Sequence, residues 1–358
     1  MVNARELPVI SQSHGASGPT KAAGDAPHPP TTKRPAWLGW LVGIGLLAAV
    51  VMMAAHVSDL RELVRVVRRI EPVWLAVALL LQLGTYASQA AIWRVMGRVA
   101  SSAISARFAF QLSVAELFMD QALPSGGASG TAFVARVLRN RGYPADVISA
   151  GVVARVAAYS AGYALALGTA LLLLWTDEPW GGSAVRAGTA MFCVVSALIT
   201  VLLPQLTGRQ LGARWPRLAK LWGVRRALAF VDGASPLLAR SPRLLIGASA
   251  LQVLTILLDA ATMWVLLRAL GSLVPLRSVF TSFMLASVVR SLGIAPGGLG
   301  TFEATSVLTL HAAGASMEMA LAATLVFRGV SFWLPMIPGF ALSRRIAARN
   351  RFPSRGQS

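Results

Sequence analysis

Apolar stretches long enough to cross a bilayer recur along this chain: Ala36–Val57, Pro72–Ile92, Val147–Trp175, Val185–Leu206, Leu244–Leu270 and Met317–Leu342. A helix needs about 20 such residues to span the hydrocarbon core. Lipid offers no hydrogen bonds, so a spanning chain must close its backbone bonds internally, as helices or as a barrel. Runs of this length select helices. Composition agrees, with 55% hydrophobic and 13% charged residues and a mean hydropathy of +0.62. The fold class expected is an all-α polytopic membrane protein.

The formal charge of +19 does not point to nucleic acid, because the cations lie between apolar runs, where an anionic inner leaflet attracts them. No nucleic-acid partner is expected. Cys193 stands alone and only four histidines occur, so neither a disulfide framework, a metal site nor a cofactor is expected. Residues 1–35 are too polar to bury a core and read as a disordered cytoplasmic tail. A helical membrane domain follows over 36–342, then a basic cytoplasmic tail over 343–358.

Four apolar segments are shorter: Phe108–Leu123, Thr131–Tyr143, Val279–Ala295 and Thr301–Gly314. They form two pairs, each joined at a proline-led glycine break. The first break holds Pro124, Gly126, Gly127 and Gly130, and the second Pro296, Gly297, Gly298 and Gly300. Backbone can unwind at membrane depth only where protein or a wet cavity surrounds it, and paired interruptions mark transporter sites. Both pairs read as short re-entrant hairpins, with the breaks as hinges.

Loop charge sets the threading. The basic stretch 207–243 and the arginine-rich C-terminus belong inside, and the acidic link Asp177–Glu178 outside. The hairpin 108–146 then enters and leaves on the inner face, and 279–314 on the outer face. Two repeat units of opposite orientation result, about 72–175 and 244–342, linked by helix 185–206. The segment Asp59–Glu71 reads as an amphipathic surface helix, and Trp215 and Trp222 mark an interfacial helix. Pro335, Pro338 and Gly339 predict a kink in the last helix.

Charge inside hydrocarbon is costly, so intramembrane ionisable residues are functional candidates. Glu116, Asp120, Asp259 and Arg268 are among them, the two acids of the first hairpin being candidate arginine partners. The sharper set is Arg136, Arg155, Arg290, Glu303 and Arg328. A guanidinium matches phosphate geometry and keeps its charge when buried. Helices starting at Thr131 and Thr301 would aim their positive ends at the breaks, and Glu303 would sit in a first turn, as a headgroup contact, a capping charge or a partner of Arg290.

Ser287-Val-Val-Arg290, Ala295-Pro-Gly-Gly-Leu-Gly-Thr-Phe-Glu303, Phe327-Arg328 and Pro338-Gly339 resemble the signature of the lysylphosphatidylglycerol synthase transmembrane-region family. Pro124-Ser-Gly-Gly and Arg139-Asn-Arg-Gly142 resemble its first half, and the likeness runs over roughly 37–345. Ala128-Ser129 stands where the family often has an acidic residue after its glycine pair. In multiple peptide resistance factors this membrane part is fused to a soluble aminoacyl-transferase and is held to flip aminoacylated phospholipids. This chain reads as a stand-alone relative without that domain. Loop charge points to a multi-pass protein of the cell (inner) membrane with both termini cytoplasmic; the resemblance implies lipid handling, and anionic or aminoacylated phospholipid is the expected partner. A lipid translocase is the expected function. A non-transporting scaffold with structural charges is the alternative, and an enzyme is not expected.

Overall fold

The computed structural model describes residues 71–101, 103–123, 128–176, 183–207, 209, 228–292 and 296–349. Expectations for the tail 1–35, the run Ala36–Val57, the surface segment before Glu71, Pro124, Gly126, Gly127, Trp215, Trp222 and residues 350–358 lie outside them. All regular structure among the described residues is helical. The helices are α1 (Pro72–Val99), α2 (Ala106–Ala122), α3 (Ala128–Asn140), α4 (Ala145–Thr176) and α5 (Ser183–Gln205). After a short turn at Pro236–Ala239 come α6 (Pro242–Ala269), α7 (Leu276–Ser291), α8 (Thr301–Ala312), α9 (Met317–Arg328) and α10 (Leu334–Arg349).

Among the described residues, five stretches are long and apolar enough to cross a membrane: Pro72–Val99, Ala145–Trp175, Arg186–Gln205, Pro242–Ala269 and Met317–Ile346. The chain is a multi-pass helical membrane protein. Leu80, Leu165, Leu172, Met191, Val201, Ile246 and Ile337 stand exposed on helix faces, an arrangement that water disfavours and lipid satisfies. By contrast α2, α3, α7 and α8 contain 17, 13, 16 and 12 residues. At 1.5 Å per residue the longest reaches about 26 Å, short of a core about 30 Å thick.

Packing among the described residues has two main centres. One gathers Trp93, Phe108, Leu112, Val134, Leu138 and Ile148 from α1 to α4. The other gathers Leu266, Phe283, Phe302, Leu310, Leu321 and Phe327 from α6 to α9, with Leu167 of α4. Phe302 and Phe327 stack there with centroids 5.7 Å apart.

Between these centres α1 and α6 run antiparallel in the most extensive helix contact of the bundle. Each is 28 residues long and opens with proline. Gln82 and Gln252, Thr85 and Thr255, Gln89 and Asp259, and Arg98 and Arg268 stand at matching intervals from Pro72 and Pro242.

Two boundaries differ from expectation. α3 begins at Ala128, so Gly130 and Thr131 lie in its first turn and Gly130 is no loop hinge. The last helix breaks at a π turn, Gly329–Trp333, before the prolines expected to kink it. Proline lacks an N–H, so Pro335 cannot bond back to the Ser331 carbonyl; Gln121 Nε2 donates to that oxygen instead, at 3.5 Å. Leu334 N–H bonds to Gly329, leaving the Val330 carbonyl to accept from Tyr86 Oη at 2.9 Å. Side chains of α1 and α2 thus take up the carbonyls that the π turn releases.

Candidate functional site

The second glycine break is built first by backbone. Gly297 and Gly298 have φ of +57° and +69°, the left-handed region that glycine enters without a Cβ penalty. A Cβ at Gly297 would meet the Phe332 ring, and one at Gly298 the Arg290 side chain. The turn therefore lies directly against α7 and the π turn.

One carboxylate then ties the break together. Glu303 Oε2 accepts the Gly300 N–H at 2.7 Å, capping α8. Its Oε1 accepts from Arg328 Nε at 2.7 Å. Arg328 Nη2 donates to the Gly297 carbonyl at 3.0 Å, and its guanidinium lies 4.2 Å from the Phe332 centroid. Both side chains are almost wholly buried, at 4% and 1% exposure.

The first break has its own carboxylate, supplied from the opposite arm. Asp120 Oδ1 of α2 accepts the Gly130 N–H of α3 at 2.7 Å, and a Cβ at Gly130 would run into that carboxyl. Ser129 Oγ donates to the Met119 carbonyl at 2.7 Å. One turn back, Glu116 pairs with Arg155 of α4 and accepts from Trp93 Nε1 at 3.0 Å. Arg155 Nη2 reaches Gln89 at 3.4 Å.

These contacts correct one expectation. The starts of α3 and α8 do not offer free N–H groups at Gly130 and Gly300, because Asp120 and Glu303 already occupy them. Glu303 is the capping charge and the partner of Arg328. Arg155 and Arg328, similarly placed in α4 and α9, are each neutralised by a buried glutamate.

Arg290 differs. It is half-buried near the end of α7, and its Nη2 donates to Tyr163 Oη of α4 at 3.2 Å. Phe302 lies beneath it, 5.7 Å from ring centroid to guanidinium. Asp259 acts on it electrostatically, yet no carboxylate lies within ion-pair distance of it among the described residues. Ser287, one turn earlier, has a buried hydroxyl with no partner among the described residues. Arg136 is exposed on α3 and joins neither ion pair.

The α1–α6 seam adjoins this region. Gln82 Nε2 donates to Asp259 Oδ1 at 2.9 Å and to Thr262 Oγ1 at 3.3 Å. Thr85 Oγ1 donates to the same carboxylate at 3.2 Å. Reciprocally, Gln89 Nε2 donates to Gln252 Oε1 at 3.1 Å and to Thr255 Oγ1 at 3.3 Å. Each helix thus offers its Gln and Thr to the same place on the other, where one helix carries Gln89 and its partner Asp259.

Glycine break, capping Glu303 and Arg328 form a single bonded unit at one end of a matched stretch. Residues 40–339 match the lysylphosphatidylglycerol synthase TM region family. The chain belongs to the lysylphosphatidylglycerol synthase transmembrane-region family. It is also 26% identical over 118 residues to a UPF0104 membrane protein of Methanothermobacter thermautotrophicus. That alignment covers 33% of this chain and 35% of the relative, so it spans about a third of each.

In this member of the lysylphosphatidylglycerol synthase transmembrane-region family, sequence reasoning passed over Tyr163, Trp93 and the seam amides. None is charged, so a search for intramembrane charge misses them. The signal that finds the seam is the shared interval from Pro72 and Pro242.

Proposed function

We propose that this protein binds phospholipid or a related lipid-linked anion and moves it between leaflets, with Arg290 as the principal headgroup contact. Family membership supports a membrane lipid-related role. The carrying observation is the contrast among arginines: Arg155 and Arg328 are neutralised by buried glutamates, and Arg290 has a phenol for its partner. A guanidinium in that position keeps donors for a phosphate. Ser287 supplies an unpaired hydroxyl on the same helix, and Asp259 a negative charge suited to the cationic part of a zwitterionic headgroup.

In this reading Arg155 and Arg328 hold the broken helices in place. α2, α3, α7 and α8 are re-entrant arms of two oppositely oriented units, an arrangement supported by their lengths and by the reciprocal α1–α6 seam. Both termini are cytoplasmic in an inner membrane, as loop charge directs, and the protein makes and breaks no covalent bond.

The test is reconstitution into liposomes with fluorescent phospholipid and an outer-leaflet quencher. Wild type should expose inner-leaflet label faster than protein-free liposomes, and Arg290→Gln should abolish the gain while keeping the wild-type melting profile. Equal rates with and without protein would refute translocation; full activity in Arg290→Gln would refute the role of Arg290. The pairing of Arg155 and Arg328 also favours a second reading, a non-transporting scaffold, which predicts that same absence of activity.

A further inference from the structure

At the arginine-rich end of the bundle lies a cavity of about 370 Å³, lined by Ser105, Arg107, Phe108, Gln111, Arg141, Leu342, Arg345 and Ile346. That volume falls in the range of small-molecule sites. Four pieces of chain meet there: the segment entering α2, the first turns of α2, the turn between α3 and α4, and the last turns of α10. Arg141 lies with its guanidinium 3.5 Å from the Phe108 ring centroid, a stacking contact that orients its N–H edge. No carboxylate lines the cavity among the described residues. Three guanidinium groups facing one space repel each other, and a bound anion removes that repulsion.

The lining is two-sided. Ser105, Gln111 and the arginines offer hydrogen bonds, whereas Phe108, Leu342 and Ile346 offer apolar surface. A phosphate joined to an apolar body suits both.

We propose that this cavity is an anion site for a phosphate group, separate from the Arg290 site and independent of the translocase reading. The phosphate comes from a phospholipid headgroup or from a soluble phosphate, and the chemistry of recognition is shared. Forked guanidinium donors take the phosphate oxygens, and the Arg141–Phe108 stack holds one fork in place.

The test uses the purified full-length chain in detergent, with short-chain phosphatidylglycerol and inorganic phosphate as separate probes. Wild type, Arg141→Gln and the double variant Arg107→Gln/Arg345→Gln are compared by equilibrium binding. At least one probe should bind wild type, and bind each of the other variants about tenfold more weakly, as expected for loss of a charged hydrogen bond. The lipid probe responding alone identifies a headgroup, and inorganic phosphate responding identifies a soluble ion. Binding of neither probe to wild type, or equal binding to all variants, overturns the proposal. The double variant leaves the Arg141–Phe108 stack intact, so the test stands if Arg141→Gln fails to fold.

Discussion

Glu303→Gln separates a packed ion pair from a hydrated one. The carboxylate has both oxygens committed, one to Gly300 N–H and one to Arg328 Nε, each at 2.7 Å. Glutamine keeps the shape and one acceptor, but its amide group must face either the Gly300 N–H or the Arg328 guanidinium, donor against donor. Arg328 is 4% exposed, so water cannot take over the lost contact. Breaking a buried pair by removing one partner costs about 3–5 kcal/mol. The melting midpoint of the purified protein should fall by roughly 6–20 °C, at about 2–4 °C per kcal/mol. Replacing Arg328 by Met in the same background removes the stranded charge, and the remaining glutamine oxygen can still cap α8. That double variant should recover to within about 1–2 kcal/mol of wild type, a non-additivity that marks direct coupling. A loss below about 1 kcal/mol in the single variant, the value of an exposed pair, would refute the reasoning and place Arg328 in water.

Asp120→Ala should cost about 1 kcal/mol, the worth of a helix cap, and speed amide exchange at Gly130; unchanged exchange there would mean that the cap is not formed in solution. Gly298→Ala forces a side chain into positive φ against Arg290, at a cost of about 1–3 kcal/mol, and should slow lipid movement together with the fall in melting midpoint. Asp259→Asn keeps an oxygen for Gln82 and Thr85, so stability should change by less than about 1 kcal/mol while the lipid-movement rate changes; a melting loss as large as that of Glu303→Gln would show Asp259 to be structural.

Helix positions were legible because lipid leaves so few backbone options: α4, α5 and α6 lie within two residues of the apolar runs at either end, and α1 starts with its run at Pro72 but continues to Val99. The second break was legible too, since Gly297, Gly298 and Gly300 adopt the positive φ that glycine permits. Arginine partners were legible in part: Glu116 was a candidate arginine partner and pairs with Arg155, but Arg328 was not matched to Glu303. Arg155 takes its glutamate from the first arm of a hairpin, and Arg328 takes its own from a second arm, so no single spacing rule finds both. The start of α3 was misplaced because its cap is Asp120, in another helix, where a local search for Ser, Thr or Asp before the apolar run cannot see it. The π turn was misplaced because prolines disturb hydrogen bonds to carbonyls before them, so the effect of Pro335 falls at Ser331.

Many of the polar groups buried among the described residues answer one another. Glu116 holds Arg155, Glu303 holds Arg328, Asp120 caps α3, and across the α1–α6 seam Gln82 and Thr85 donate to Asp259 while Gln89 donates to Gln252 and Thr255. The seam would be neutral throughout if Asp259 were an amide like its counterpart Gln89. Instead the symmetry is broken by one carboxylate, and Arg290 has no carboxylate within ion-pair distance among the described residues. A charge at membrane depth costs at least about 2.5–3.5 kcal/mol, and a direct Asp259–Arg290 pair would offset much of that. Arg290 instead has a phenol for its partner, which leaves guanidinium donors for the phosphate of the headgroup we propose.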